Sequence, residues 1–491
     1  MPVLAIDAGT TGVTALVVGS DGGVLARGYR EFAQLFPRPG WVEHEPEDIW
    51  TATLAACREA LGRTDRTPSC VGITDQRETA VVWDRRTGRA PRPAIVWQDR
   101  RTTGICDRLR AAGHEPRIAE LTGLRLDPYF TGTKFCWLAA EEPRLWDGVR
   151  DGSLALGTVD SYLVHRLTGG AAHVTDPSNA SRTLLYDLAA GDWSDELCEL
   201  FQVPRSALPD LVPSSGVVGT TDPDAFLGLA LPIAGIAGDQ QAALFGQACF
   251  TPGTSKCTYG TGSFVLTNTG TTPVRSQAGL LTTVAWDVGD GLVYALEGSI
   301  FVTGAAVQWL RDGLGLIDSA AEIEGLARTV PDSGDLVFVP ALTGMGAPHW
   351  DPHARGTIVG ITRGTTRAHL ARATLEAIAF EVRDVVDVMV SEAGLAVPEL
   401  SADGGASAND LLLQLQADQL GVPVRRPRVT ETTALGAAFL AGLGTGVWAG
   451  QDELAATWAL DRRFEPEDGR RDDGRHDRWR EALDRARQWT S

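Results

Sequence analysis

The tetrapeptide Gly238-Asp239-Gln240-Gln241 places a carboxylate at the end of an apolar run, Leu231 to Ala237, that reads as a buried strand. Two amides follow, then an apolar helix start at Ala242, Ala243, Leu244 and Phe245. An acid so placed is poorly solvated by bulk water and well placed to take a proton from a bound hydroxyl. The plainer alternative is that Asp239 caps the helix behind it. A second acid, Asp7, closes the apolar run from Val3 and leads into the turn Gly9-Thr10-Thr11-Gly12. Glycine lets a backbone come close to phosphate oxygens and threonine adds a hydroxyl donor, so this turn is a candidate phosphate contact. For Asp7 the alternative is a turn acid that caps its own loop.

These residues sit in a repeating pattern of elements. Val3–Asp7 reads as a strand and Val13–Val18 as the returning strand of a β-hairpin. Residues 254–268 repeat the theme, with a strand at Thr254–Thr258, the turn Tyr259-Gly260-Thr261-Gly262 and a strand at Ser263–Asn268. Two Gly-Thr hairpins about half a chain apart suggest two related domains. For either hairpin alone, coincidence of common turn residues explains as much.

Strands and helices then alternate. Ala368–Val390 has apolar residues at helical spacing, Leu400–Ala402 reads as a short strand, and a helix is expected over Asn409–Leu420, ended by Gly421. A strand at Val422–Arg425 and a helix at Thr430–Leu443 follow. This predicts an α/β fold with helices on the sheet faces. A boundary near Gly246–Gly253 gives domains 1–248 and 249–491. The charged tail, 465–491, carries Trp479, Leu483 and Trp489 at helical spacing and reads as a surface helix packed by one edge.

Bulk properties narrow the function. At 491 residues the chain is too long for one core. Its net charge of −19 argues against a general nucleic-acid or anionic-membrane binder. A phosphorylated ligand stays open, because loop amides and helix N-termini bind phosphate locally. The seven cysteines are scattered without a CxxC, as expected of reduced, mostly buried thiols rather than a disulfide framework or zinc site. Asn179-Ala180-Ser181 is a formal glycosylation sequon, but nothing else suggests secretion. The N-terminus has no basic region, Asp7 interrupts its apolar run, and no run is long enough to span a bilayer, so a soluble cytoplasmic protein is expected.

No GxxxxGK[ST] loop, no dinucleotide GxGxxG with its trailing acid and no protein-kinase catalytic-loop set occurs. A nucleotide site must be of another kind. Two Gly-Thr hairpins, with the turn Asp403-Gly404-Gly405 at a strand end, fit two actin-like (ribonuclease H-like) ATPase domains around a central cleft.

Longer segments carry a specific resemblance. They include FPRPGWVEHEPEDIW (36–50), GITDQRETAVVWD (72–84), TGLRLDPYFTGTK (122–134), GIAGDQQAALFGQ (235–247), TYGTGSF (258–264), GAPHWDPHARG (346–356), DGGASAND (403–410) and TETTALGAAFLAG (430–442). Through them the chain resembles the FGGY carbohydrate kinases, from Val3 to about Trp448, and within them the branch that phosphorylates glycerol. The resemblance implies a polyol pocket in which Arg77, Glu78, Asp239, Gln240 and Tyr129 meet the glycerol hydroxyls. Trp97 and Phe264 would form its apolar wall. It further implies ATP held by Thr10, Thr11 and Gly12 in the first hairpin and by Thr261 and Gly262 in the second. Gly304 and Gln308 would lie near the phosphates and ribose, and Gly405 and Asn409 at the adenosine. Asp7, with Asp239, would hold Mg²⁺, largely through water. Asp239 would be the catalytic base of glycerol catabolism's phosphoryl transfer from ATP to glycerol. Self-association as a homodimer or homotetramer is also implied.

The chain departs from the family's pattern in places. The first loop reads Asp7-Ala8-Gly9-Thr10-Thr11-Gly12-Val13-Thr14 and lacks the usual glutamine, serine and arginine. Asp222–Leu231 carries no basic residue for a sugar bisphosphate effector, and no histidine lies between His173 and His349 for phosphorylation control. His349 and His353 are four apart, but Pro348 and Pro352 make that stretch a loop, against a helical metal pair. A kinase for another polyol or a ketose, and a catalytically silent sensor on the same fold, are the rival readings.

Overall fold

The computed structural model describes residues 1–467, 469 and 471–490. The first half is built on Val3–Ala8 (β1), Gly12–Val18 (β2) and Val24–Glu31 (β3), an antiparallel meander. Both faces of β1 and β2 are covered, so they read as unbroken apolar runs rather than alternating ones. Pro46–Gly62 (α1) starts with proline in its first turn and buries Ile49, Thr53, Ala56 and Ala60, spaced three and four apart. It leads to Val71–Asp75 (β4), parallel to β1. Ser215–Thr220 (β5) and Pro232–Gly238 (β6) complete a six-stranded sheet of order β5-β6-β4-β1-β2-β3, with β6 parallel to β4. Asp239–Gly246 (α2) follows β6 directly.

The second half repeats this plan. Ser255–Tyr259 (β7) and Ser263–Gly270 (β8) form its hairpin, followed by Leu281–Asp287 (β9), Leu292–Ile300 (β10) and the short helix Gly304–Gln308 (α3). The long helix Arg367–Ala393 (α4) leads to Leu400–Asp403 (β11), Asp410–Leu420 (α5) and Val424–Pro427 (β12). Thr432–Gly444 (α6), Leu460–Phe464 (β13) and Asp473–Ala486 (α7) close the chain. The seven-stranded sheet has order β9-β10-β8-β7-β11-β12-β13. In both sheets the first hairpin strand pairs antiparallel with its hairpin partner and parallel with a strand reached through a helix, as the expected repeat requires.

The α/β reading and both hairpins are therefore borne out, with small shifts at element ends. Asn409 stands just outside α5 and caps it through the Leu412 N–H. The strand expected at 422–425 lies at 424–427, and the helix expected from Thr430 begins at Thr432. The tail helix forms and buries Trp479 and Leu483, but Trp489 lies beyond its end and is 69% exposed. The helix ends at Ala486, and Arg487 is already extended before Gln488 takes a φ of 50°. Residues 468, 470 and 491 of that predicted tail lie outside the described residues.

One packing arrangement spans both halves. Helix α6 follows a strand of the second sheet yet lies on the first, against β4, β6 and α2. A Cβ on Gly436 would run into the Ala242 carbonyl oxygen, and one on Gly246 into that of Thr432. Glycine at both places lets α2 and α6 touch backbone to backbone. All seven cysteines are free. Among the described residues no helix is long and apolar enough to cross a membrane.

Candidate active site

The parallel strands β1, β4 and β6 end side by side, with Ala8 opposite Asp75 and Asp75 opposite Gly238. Ligands of open α/β sheets bind beyond such carboxyl ends. Here the strand ends open into a cleft of about 580 Å³ lined from both halves. Its walls include Thr10 and Thr11 from the first hairpin, Gly260, Thr261 and Gly262 from the second, and Arg77, Glu78, Trp97, Tyr129, Asp239, Gln240 and Phe264. All seven residues expected at a polyol therefore meet in one space. Gly12, Gly304, Gln308, Gly405, Asn409 and Asp7 fall outside that lining. Gly304 is nonetheless tied to the second hairpin, donating its N–H to the Gly260 carbonyl at 3.0 Å. Gly404, beside Gly405, packs on the backbone of Tyr259 just before that hairpin's turn, with a left-handed φ of 83°.

Asp239 does not cap its helix. Gly238 occupies the cap position, and Asp239 is the first helical residue. Its Oδ1 accepts the Gln240 N–H at 2.7 Å and lies 3.0 Å from Arg77 Nε. Its side chain is 27% exposed to the cleft, whereas that of Arg77 is 1% exposed. Among the described residues no donor meets Oδ2.

Beneath Asp239 lies a buried ionic network. Glu297 accepts Arg77 Nη1 at 2.5 Å and Nη2 at 3.1 Å, and Arg182 Nη2 at 2.9 Å. Arg182 also donates from Nε to Glu78 at 2.7 Å. Burial alone would raise the Glu297 carboxyl, but the Arg182 and Arg77 guanidinium groups outweigh it and hold it at about 2. Arg77 thus commits most of its fork to protein and turns only an edge to the cleft. Glu78 is the apex of a tight turn closed by the Thr79 N–H on the Arg77 carbonyl at 2.8 Å, with a φ of 62°. Such three-residue turns with positive φ are rare and strained, and persist where surroundings impose them. Here Thr131 Oγ1 holds the Glu78 carbonyl at 3.1 Å while Arg182 holds its carboxylate.

The aromatic wall is fixed as firmly. Trp97 and Tyr129 meet edge to face with centroids 5.6 Å apart. Lys134, buried, donates to the Pro128 and Tyr129 carbonyls at 3.1 and 2.5 Å and so pins the segment that carries the phenol. Burial, with the nearby Glu78 carboxylate, raises the Tyr129 hydroxyl well above the usual phenol range, so it remains a donor. Sequence reasoning missed Lys134, Arg182, Glu297 and Lys256. A local signal was present for Glu297, a charge inside the apolar segment Leu292–Ile300, whereas Arg182 and Lys256 stand in polar stretches that gave none.

The Asp7 side chain makes no hydrogen bond or ion pair among the described residues. Burial raises its carboxyl well above the ordinary range, and the Asp239 and Glu431 carboxylates raise it further. Arg77 and Arg100 are the basic residues on the cleft wall, and both face acids, Asp239 and Asp127. A buried carboxylate without a side-chain partner, close to Asp239 of a cleft whose described wall carries no free cation, suits a hard divalent ion that keeps part of its water shell. His349 and His353 lie in a loop, as expected, and no cluster of three or more metal-ligating side chains occurs among the described residues.

Comparison with known proteins decides the family. The N-terminal domain of the FGGY family of carbohydrate kinases matches residues 2–246, and its C-terminal domain matches residues 255–445. The chain belongs to the FGGY family of carbohydrate kinases. This FGGY kinase is 52% identical over 491 residues to glycerol kinase 2 of Thermotoga maritima, covering 99% of each chain. It is 55% identical to the glycerol kinase of Aromatoleum aromaticum, covering 100% of this chain and 99% of that one. Its fold superimposes on the crystal structure of Plasmodium falciparum glycerol kinase with ADP at a TM-score of 0.90 and 34% identity, covering 99% and 98% of the two chains. The two sheets and the cleft between the hairpins are thus the ATPase architecture of this family.

Proposed function

We propose that this FGGY kinase transfers the γ-phosphate of ATP to glycerol, giving sn-glycerol 3-phosphate in glycerol catabolism. The geometry of Asp239 carries the reading. The Gln240 N–H bond and the Arg77 ion pair both fall on Oδ1, which leaves Oδ2 to accept the proton of a terminal hydroxyl from the cleft. Full-length likeness to glycerol kinases supports the acceptor. The Trp97–Tyr129–Phe264 wall suits a three-carbon chain, and a small triol needs a fixed polar partner for each hydroxyl.

In this mechanism Asp239 deprotonates the hydroxyl as it attacks in line. Thr10, Thr11, Gly12, Thr261 and Gly262 meet the phosphate oxygens with hydroxyls and backbone N–H groups. Gly304 and Gln308 serve the phosphates and ribose, and Gly405 and Asn409 the adenosine. Asp7 and Asp239 would hold Mg²⁺, which neutralises phosphate charge when bound. Closure of two domains, 1–248 and 249–491, over the cleft would exclude water that otherwise hydrolyses ATP. A cytoplasmic homodimer or homotetramer is part of the same reading, on family resemblance alone.

The test is ADP release by the purified protein with Mg-ATP and a panel of glycerol, dihydroxyacetone, erythritol, xylitol and xylulose. Turnover on glycerol that Asp239→Asn lowers by about 10²–10⁴-fold supports acceptor and base together. Turnover confined to another member of the panel would keep the mechanism and overturn the acceptor. Glycerol binding without turnover would mark a sensor.

A further inference from the structure

Gln240, next to the candidate base, is held by a residue from the other half of the molecule. Lys256 lies on β7 of the second sheet with its side chain fully buried, and its Nζ donates to Gln240 Oε1 at 2.5 Å and to Thr258 Oγ1 at 2.8 Å. Gln240 is itself 6% exposed, and what it shows to solvent faces the cleft.

A glutamine side chain is ambiguous by nature: its amide presents either an oxygen or an NH₂ to whatever it faces, depending on a rotation of its last bond. An ammonium group has three donors and no acceptor. With Lys256 on one side, only the oxygen can point inward, so the NH₂ must point to the cleft. Burial lowers the pKa of the amine below the usual lysine range, an effect the nearby Asp403, Asp239 and Glu297 carboxylates only partly offset. Nζ donates to two oxygens, Gln240 Oε1 and Thr258 Oγ1, and as an ammonium its bond to Gln240 is stronger than a neutral one. Nothing in the proposed proton transfer uses this lysine.

We infer that Lys256 is a positioning residue that fixes the Gln240 amide with its NH₂ toward the polyol, so that this corner of the pocket reads a hydroxyl oxygen as an acceptor. Because the lysine comes from the second sheet and the glutamine from α2, the reading group is complete only when the two halves are docked. The inference rests on the proposed glycerol kinase activity and adds to it a determinant of acceptor binding.

Steady-state kinetics of Lys256→Met, Gln240→Leu and the double variant test it. Lys256→Met frees the amide to flip, and glycerol KM rises about tenfold while the KM for ATP stays within about twofold of wild type. Gln240→Leu has a similar or larger effect, and the double variant is no worse than Gln240→Leu alone, since the lysine acts through the amide. Additive losses, or a loss in kcat and ATP KM alone, overturn the inference. Should Lys256→Met not fold, Gln240→Glu answers the same question. It keeps a partner for the buried ammonium but offers the cleft no donor, so it folds and loses glycerol affinity by about tenfold or more. A Gln240→Glu protein with unchanged glycerol KM overturns the inference equally. Wild-type protein that does not phosphorylate glycerol at all refutes the proposed function rather than this positioning role.

Discussion

Trp97 donates its indole N–H to Thr10 Oγ1 at 2.9 Å, so one side chain belongs both to the acceptor wall and to the first phosphate hairpin. The same wall is tied to the Arg77–Thr79 turn by the Trp97 N–H on Thr79 Oγ1 at 3.3 Å. Thr79 in turn reaches Gln76 Oε1 at 2.9 Å, and Gln76 Nε2 reaches the Gly9 carbonyl at 2.9 Å. The polyol pocket and the phosphate hairpin are thus one hydrogen-bonded unit within the first half of the molecule.

Trp97→Phe keeps an aromatic face against Tyr129 but removes the indole N–H that donates to the Thr10 hydroxyl. The KM for ATP is expected to rise about three- to tenfold, with glycerol KM closer to wild type. Trp97→Ala removes the wall as well and should raise both. Steady-state kinetics with each substrate varied in turn would separate the two effects, and a Trp97→Phe enzyme with unaltered ATP KM would show the bond to be idle.

How much of this was legible in the sequence follows the range of each signal. Hairpin, strand and helix signals are local, and the two Gly-Thr hairpins, the strand before Asp239 and the helix over 367–393 all lay within a few residues of where the pattern put them. The polyol residues were legible through resemblance, because they sit in long contiguous motifs. The supporting ions were not, since Arg77 and Glu297 stand 220 residues apart and no local period links them. Helix α6 is the other gap. Its apolar run predicts a buried helix, but not that it would lie on the first sheet rather than on its own. The cap, the plainer alternative for Asp239, is not what forms, because Gly238 already fills that position with an extended backbone.

Glu297 provides a pH-dependent test of the buried network. Its folded-state value of about 2 lies below the ordinary 4.5, so its contribution is fully present above pH 4.5 and is lost as pH falls toward 2. Glu297→Gln leaves Arg77 and Arg182 without their shared counter-ion and should destabilise the protein by about 3–5 kcal/mol at neutral pH. Thermal midpoints of the two proteins should differ by a constant amount above about pH 5 and converge below pH 4.5. Parallel curves down to acid pH would count against the charge as the source of the stability.

Asp7 should behave in the opposite sense. Its carboxyl is raised above the ordinary 3.8, so the ionised form weakens the folded state at neutral pH, and protonation relieves this as pH falls. Without added divalent ion, Asp7→Asn should therefore unfold at a higher temperature than wild type at pH 7, the gain vanishing below about pH 4. Activity should move the other way, with a lower kcat and a higher requirement for Mg²⁺, since the variant loses a carboxylate suited to the ion. Scanning calorimetry in chelator and a Mg²⁺ titration of the rate would read the two effects separately. A variant that is both less stable and fully active would contradict this assignment of Asp7.

Gly436 tests whether the backbone contact between α6 and α2 governs the site. A Cβ there would run into the Ala242 carbonyl oxygen and come within 3.0 Å of Gly246 N, both backbone atoms that no side-chain rotation can move aside. Gly436→Ala must then push α6 off α2, at a cost of about 1–3 kcal/mol. Because Asp239 opens α2, the same displacement should shift the base against Arg77, lowering kcat more than it raises either KM. Gly325→Ala is the control. It lies in a helix, Glu322–Ala327, where an added Cβ meets nothing within 4 Å, so it should be neutral or stabilise slightly. If Gly436→Ala lowers the unfolding temperature but leaves kcat intact, the helix contact supports the fold without setting the position of Asp239.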